Sequence, residues 1–186
     1  LAQADDEFEA FLRFLPIKAP RRVLEIGARD GASLYAIARA LPAGTEFVAV
    51  DLPGAAWGRE SSRQNLEKVI ARLQKNGVRA NAIFGDSRDE NTVQAVSKLF
   101  GGRFPDCVFI DGNHTFGGVL ADWERYGCPV EPRGVVAFHD ILESAARPRV
   151  KVHLLWRVLK TIYPYTEFLG ARARSEGVFG IGVLTK

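Results

Sequence analysis

Two of the chain's three histidines, His114 and His139, lie within three residues of an aspartate. Asp111 stands three positions before His114 and Asp140 directly follows His139. Each group comes just after a short apolar run, Cys107 to Ile110 and Val135 to Phe138. Such runs read as buried strands, so two adjacent strand ends are expected to bring Asp111, His139 and Asp140 to one spot. Two carboxylates and an imidazole form a donor set for a divalent cation. Mg²⁺ prefers oxygen ligands and keeps positions open for water or substrate, which Asp111 and Asp140 suit. The imidazole of His139 biases the set toward Mn²⁺, Fe²⁺ or Zn²⁺.

The elements that must position these residues are written in the apolar pattern. Phe8, Phe11, Leu12 and Leu15 fall at helical spacing, and Pro16 to Pro20 is expected to break that helix before a first strand, Val23 to Ile26. Gly27 to Gly31 turns the chain into a helix marked by Leu34, Ile37, Ala38 and Leu41. Phe47 to Val50 is a second strand ending at Asp51. Leu66, Val69, Ile70 and Leu73 mark the next helix, with Asn76 and Gly77 at its end, and Ala80 to Phe84 a third strand. Helices near Val93 to Phe100 and Val119 to Tyr126 flank the fourth strand, Cys107 to Ile110, and Val135 to Phe138 is the fifth. Short, nearly all-apolar strands alternating with helices predict a parallel sheet covered on both faces, with right-handed crossovers. A helix over Val150 to Tyr163 then precedes strands at Thr166 to Leu169 and Val178 to Leu184. Their link of about eight residues is too short for a helical crossover, so that pair is expected to be antiparallel. The predicted fold is α/β: a Rossmann-like, doubly wound, mostly parallel seven-stranded sheet with an antiparallel last strand.

Composition excludes several classes. At 186 residues, against about 150 per domain, the chain is expected to form one domain, with residues 1–19 a leading helix and linker. Hydrophobic residues at 47% and charged residues at 25% suit an ordinary globular core rather than disorder or a disulfide scaffold. A net charge of +3 is mild for a nucleic-acid partner. Of two cysteines, Cys107 sits in an apolar run and is expected to pack in the core. The acidic, amphipathic start lacks the features of a signal peptide, no stretch is apolar enough to span a bilayer, and a cytoplasmic location without membrane contact is the default expectation. The chain contains no methionine, even at position 1, so sequence upstream of Leu1 is expected.

In open α/β sheets, ligands sit beyond the carboxyl ends of the strands. The first strand runs into Glu25, Ile26, Gly27, Ala28, Arg29, Asp30, Gly31, a turn in which backbone can approach a ligand and a helix start can face it. Its spacing is not that of a dinucleotide site, and a nucleoside without a pyrophosphate fits better. Asp51 is placed to accept hydrogen bonds from the vicinal hydroxyls of a ribose, and Asp86, beside Gly85 and Ser87, to accept one from an adenine amine. Each acid alone also reads as a helix N-cap.

With these residues, the chain from about residue 20 to 186 resembles the class I S-adenosylmethionine-dependent methyltransferases. The Glu25/Gly27/Gly31 turn and Asp51 are similar to the family's motifs for the methionine moiety and ribose. Asp51 to Gly54, the run Ile110, Asp111, Gly112, Asn113, His114, Thr115, Phe116 continuing to Asp122 and Trp123, and the later Val152, His153 and Trp156 resemble a subgroup of small metal-dependent O-methyltransferases. That subgroup includes sugar and natural-product methyltransferases and relatives of cephalosporin hydroxylase. The resemblance implies S-adenosylmethionine bound by Glu25, Gly27, Gly31, Ser33, Asp51, Leu52, Asp86, Ser87 and Asp111. It implies a divalent metal, Mg²⁺, Mn²⁺ or another transition metal, on Asp111, His139 and Asp140. The resembled enzymes usually carry an acid where this chain has His139, so His139 stands as either a ligand or a group behind one. His114 occupies the position of their general base, which would take the proton of a small-molecule or sugar hydroxyl. Arg147, Pro148, Arg149, Val150 and Lys151 read as a solvated helix start or as an attractor of anionic substrate. Trp57 and Arg59 are expected to border the adenosine or substrate pocket, with Trp57 equally suited to packing. Trp123 and Trp156 are expected in the core, and His153 as a surface or hydrogen-bonded core residue. A single domain leaves acceptor specificity to short loops, upstream sequence or a neighbouring subunit of a homo-oligomer. The rival expectations are a binding protein that keeps the fold without methyl transfer, a hydroxylase-like relative, and a nicotinamide oxidoreductase, the last weakened by the glycine spacing.

Overall fold

A computed structural model describes residues 5–54 and 62–186. Seven strands, β1 (Arg22–Ile26), β2 (Glu46–Asp51), β3 (Arg79–Phe84), β4 (Cys107–Ile110), β5 (Val135–His139), β6 (Tyr165–Phe168) and β7 (Ile181–Thr185), form one sheet in the order β3-β2-β1-β4-β5-β7-β6. β1 to β5 are mutually parallel, and β7 runs antiparallel to both β5 and β6. The chain winds outward from β1 toward β3 and then returns to place β4 on β1's other side. The switch point therefore lies between the ends of β1 and β4, where α/β folds open a crevice.

Alternation along the strands explains the two layers. Val23, Phe47, Ala49 and Phe109 face one side, where α1 (Asp5–Lys18), α2 (Ala32–Ala40) and α3 (Ser62–Lys75) bury Phe8, Phe11, Leu34, Ile37, Leu66 and Ile70. Leu24, Val48, Val108, Ile110 and Phe138 face the other, under α4 (Glu90–Leu99), α5 (Phe116–Asp122) and α6 (Val152–Leu159). Strands buried on both faces need no polar alternation, hence their continuous apolar sequences. Cys107, Trp123 and Trp156 are buried as expected, and His153 is buried on α6.

Several boundaries differ from the sequence expectation. α1 runs through Pro16 to Lys18, because a proline in the last turn forfeits only one backbone bond. The chain turns just beyond, where Ala19 donates to the Pro16 carbonyl (3.1 Å) in a left-handed conformation. The helix expected to continue to Tyr126 widens after Asp122 into a π-turn, Trp123–Gly127, closed by Cys128 N–H donating to the Trp123 carbonyl (2.6 Å). The helix expected over Val150 to Tyr163 is confined to α6. β7 begins at Ile181, not Val178, since Gly177, Phe179 and Gly180 all have positive φ and break the extended path. A short helix, α7 (Ala171–Glu176), occupies the link before it, its first amide bound by Asp6 of α1 (2.5 Å). No helix among the described residues is long and apolar enough to cross a membrane.

Candidate active site

A cleft of about 720 Å³ opens at the carboxyl ends of β1, β2, β3, β4 and β5. Gly27, Ser33, Asp51, Leu52, Asp86, Ser87, Asp111, His114, His139 and Asp140 all line it. Glu25 and Gly31 do not: Glu25 is fully buried behind Ser33, and Gly31 turns the chain into α2. Trp57 and Arg59 lie outside the described residues.

At one end, Gly27 brings the tips of β1 and β4 together. Its amide donates to the Val50 carbonyl (2.8 Å), while the Asp111 amide donates to the Ile26 carbonyl (2.8 Å). With φ at +88°, Gly27 leaves no room for a side chain, since a Cβ there would stand 2.6 Å from the Asp111 carbonyl carbon. Asp51 accepts the Arg29 amide on Oδ2 (2.6 Å), whereas its Oδ1 is buried with no hydrogen-bond partner among the described residues. Burial raises the Asp51 pKa against the pull of that amide. Asp86 is gripped by Arg88 through Nε (2.9 Å) and a terminal nitrogen (2.6 Å), which lowers its carboxyl to about 2. Ser87 is held from below: its hydroxyl donates to Asp122 (2.6 Å) and its carbonyl accepts from Tyr126 (2.7 Å). Asp122 ends α5 and Tyr126 lies in the π-turn that follows it, so both contacts come from one continuous helical segment.

The Ser33 hydroxyl donates to Glu25, whose burial pushes its pKa up to about 8. The folded chain therefore keeps a proton that the unfolded chain releases near 4.5. This stabilisation is complete below that value and is lost as pH rises through about 8. Glu25→Gln, which cannot ionise and still accepts from Ser33, is expected to flatten the fall in melting temperature between about pH 4.5 and 8. A slope matching the wild type would contradict the buried, protonated Glu25.

At the other end, Asp111, His139 and Asp140 offer donor atoms all within 4.8 Å of one another. His139 Nδ1 lies 3.0 Å from Asp111 Oδ1 and 3.7 Å from Asp140 Oδ1. Burial disfavours its imidazolium, but the charge and hydrogen bond of Asp111, with Glu7 and Asp140, raise its pKa to about 10. His114 Nδ1 lies 3.0 Å from Asp140 Oδ2, and its Nε2 lies 3.9 Å from Asp111 Oδ1. Arg147 holds both Asp140 oxygens (2.5 and 2.8 Å). Burial works to raise the Asp140 carboxyl, but His114, His139 and Arg147 together hold it well below the usual carboxylate range. The loop carrying His114 is fixed by local chemistry. Asn113 accepts from the Thr115 amide (3.0 Å), and Thr115 caps α5 by accepting from Gly118 (3.1 Å). The His114 carbonyl also accepts from the Lys151 amide (2.7 Å).

Of the five described non-glycine residues with positive φ, three border this cleft: Arg29, Asp140 and Phe179. Such strain persists where the surroundings over-determine it, and it gathers at functional sites. The sequence pattern assigns no site role to Glu7, Asp122 or Phe179. Glu7 carries a usable signal nonetheless, because it shares the helical stripe of Phe11 and Leu15 at steps of four.

A family model described as a methyltransferase domain matches residues 24–141. An uncharacterized protein, y4gI, from Sinorhizobium fredii is 30% identical over 160 residues, covering 80% of this chain. The chain spans only 16% of that protein's length. Two solved structures share the fold. An O-methyltransferase from Bacillus cereus in complex with SAH has a TM-score of 0.69 and 19% identity, covering 98% of this chain and 82% of that one. The O-methyltransferase TomG from Streptomyces achromogenes, involved in tomaymycin synthesis and solved with SAM, has a TM-score of 0.68 and 18% identity, covering 100% and 82%.

Proposed function

This chain belongs to the methyltransferase-domain family, and on that premise we propose that it moves a methyl group from S-adenosylmethionine to a hydroxyl of a small molecule or sugar, assisted by a divalent cation. The observation that carries this reading is that one cleft joins two chemically different ends. Asp51 Oδ1 stands without a hydrogen-bond partner among the described residues at one, and a braced imidazole stands among carboxylates at the other. The solved neighbours of the same fold hold SAH and SAM.

S-adenosylmethionine supplies an electrophilic methyl. Asp51 Oδ1 would hold the ribose hydroxyls, relieving a buried acceptor that otherwise costs about 1 to 3 kcal/mol. Asp86 would accept from the adenine amine, and Ser87, anchored by Asp122 and Tyr126, would fix the wall beside it. Gly27 lets the backbone close on the methionine end, and Glu25 acts through Ser33 to hold the start of α2.

The donor set of Asp111, His139 and Asp140 suits a cation that accepts both nitrogen and oxygen, since His139 Nδ1 faces both carboxylates. When bound, such a cation lowers the pKa of a coordinated hydroxyl. His114 turns Nδ1 to Asp140, and its Nε2 would receive the hydroxyl proton. Loss of that proton would leave an oxygen nucleophile for the methyl that S-adenosylmethionine would supply, the sulfur–methyl bond breaking as the oxygen–methyl bond forms and S-adenosylhomocysteine leaving. The pairing of Arg147 with Asp140 favours a second reading, in which the guanidinium supplies the positive charge and no metal is needed.

Formation of S-adenosylhomocysteine tests the proposal, using a panel of sugar, phenol, polyketide and peptidyl hydroxyls with Mn²⁺ or Mg²⁺ present. Product with at least one acceptor is expected. Cofactor binding without product across the panel would favour a non-catalytic binding module.

A further inference from the structure

Glu7 is a carboxylate 1% exposed on a helix that the sequence marks only as a leading segment. Its Oε2 accepts the Gly180 amide (3.0 Å), and its Oε1 lies 3.4 Å from Nε2 of His139. Those two facing atoms, Glu7 Oε1 and His139 Nε2, are both buried, and neither has a hydrogen-bond partner among the described residues. The neighbouring Asp6 accepts from the Ala171 amide (2.5 Å), so α1 is fastened at consecutive residues to the segment that leads into β7. The imidazole plane is held as well: His139 stacks on Phe179, with centroids 5.9 Å apart and planes at 25°.

We propose that Glu7 is a positioning residue for His139, its carboxylate accepting the Nε2 proton and so fixing the ring orientation that turns Nδ1 to Asp111 and Asp140, both in the charged imidazole of the metal-free protein and when a cation takes the place of the Nδ1 proton. The assignment rests on the reading of Asp111, His139 and Asp140 as a cation site. An imidazole that offers the Nδ1 lone pair must carry its proton on Nε2, and a buried N–H without an acceptor is costly. Glu7 supplies that acceptor, and a carboxylate behind a ligating imidazole also increases its basicity. The arrangement gives a physical reason why a histidine works at a position where the resembled enzymes place an acid. An aspartate there has no second nitrogen to satisfy, whereas histidine needs a partner on its far side, and α1 brings one.

The test compares wild type with Glu7→Met, which keeps the volume and removes the acceptor, and Glu7→Gln, which keeps a carbonyl oxygen. Two readouts are taken, with S-adenosylhomocysteine affinity as the folding control. In metal-free, ¹⁵N-histidine-labelled protein, a slowly exchanging Nε2 proton of His139 is expected in wild type and Glu7→Gln and is expected to vanish in Glu7→Met. By calorimetry, Glu7→Met is expected to weaken Mn²⁺ binding about 10- to 100-fold, with Glu7→Gln falling between it and wild type. A folded Glu7→Met that keeps the protected proton, or wild-type Mn²⁺ affinity, overturns the proposal. Should Glu7→Met fail to fold, the absence of a protected His139 proton in wild type overturns it equally. Wild type that shows the protected proton but binds no Mn²⁺ contradicts the cation site and leaves the Glu7–His139 pairing standing.

Discussion

His114→Ala is expected to lower turnover by about 10² to 10⁴ while S-adenosylmethionine affinity stays within about threefold of wild type. The split follows from where the imidazole sits. Asp140 Oδ2 at 3.0 Å orients Nδ1, while the loop from Asp111 to Thr115 is held by Asn113 and Thr115, and its backbone is tied to Lys151. These loop contacts do not involve the His114 ring, so its loss leaves the Asp51 and Asp86 end of the cleft intact. What disappears is the lone pair beside Asp140 and Asp111 that can accept a proton. Initial rates of S-adenosylhomocysteine formation and calorimetric cofactor binding, measured on the same preparations, separate the two effects. Turnover unchanged in His114→Ala would remove the base assignment.

Gly27→Ala is expected to abolish cofactor binding and to lower stability by roughly 3 to 5 kcal/mol, about 6 to 20 °C in melting temperature at this chain length. Two costs combine. A side chain at φ +88° is strained by about 1 to 2 kcal/mol, and the added Cβ meets the Asp111 carbonyl and the Gly112 Cα, both backbone and neither able to yield. Relief would require parting β1 from β4, moving Asp111 and opening the floor of the cleft. Gly77→Ala isolates the first cost, because Gly77 has φ +77° and a Cβ added there would meet no described atom within 4 Å. That variant is expected to lose only about 1 to 2 kcal/mol and to bind cofactor normally. Equal losses in both variants, with binding retained in Gly27→Ala, would contradict the role given to the β1–β4 contact.

The sheet is readable in the sequence because its strands are buried on both faces and therefore apolar without interruption, and their ends carry the acids. Asp111, His139 and Asp140 can be placed together from that alone, since β4 and β5 are neighbours and parallel. The π-turn is not readable: its wider winding over five residues leaves the spacing of Val119, Trp123 and Tyr126 compatible with an ordinary helix. Ser87 can be placed at a strand end, but its grip by Asp122 and Tyr126 reaches across 35 and 39 residues of chain, which no local pattern shows. Arg147 reads as a solvated helix start, yet turns formed by Arg147 N–H to Ser144 and Val150 N–H to Arg147 fold it back over Asp140. Glu7 is hidden by its company, an acidic run whose charges resemble a solvent face, although its place on the stripe of Phe11 and Leu15 points inward.

Methyl transfer to a hydroxyl held at Asp111, His139 and Asp140 is tested most directly by S-adenosylhomocysteine formation with the hydroxyl panel, run on chelated protein and again after Mn²⁺ is restored. The expected result is product that falls to background on chelation and returns with the metal. Product that persists undiminished in the chelated protein would contradict metal assistance and favour Arg147 as the resident cation, and no product with any acceptor in either state would contradict the transferase itself.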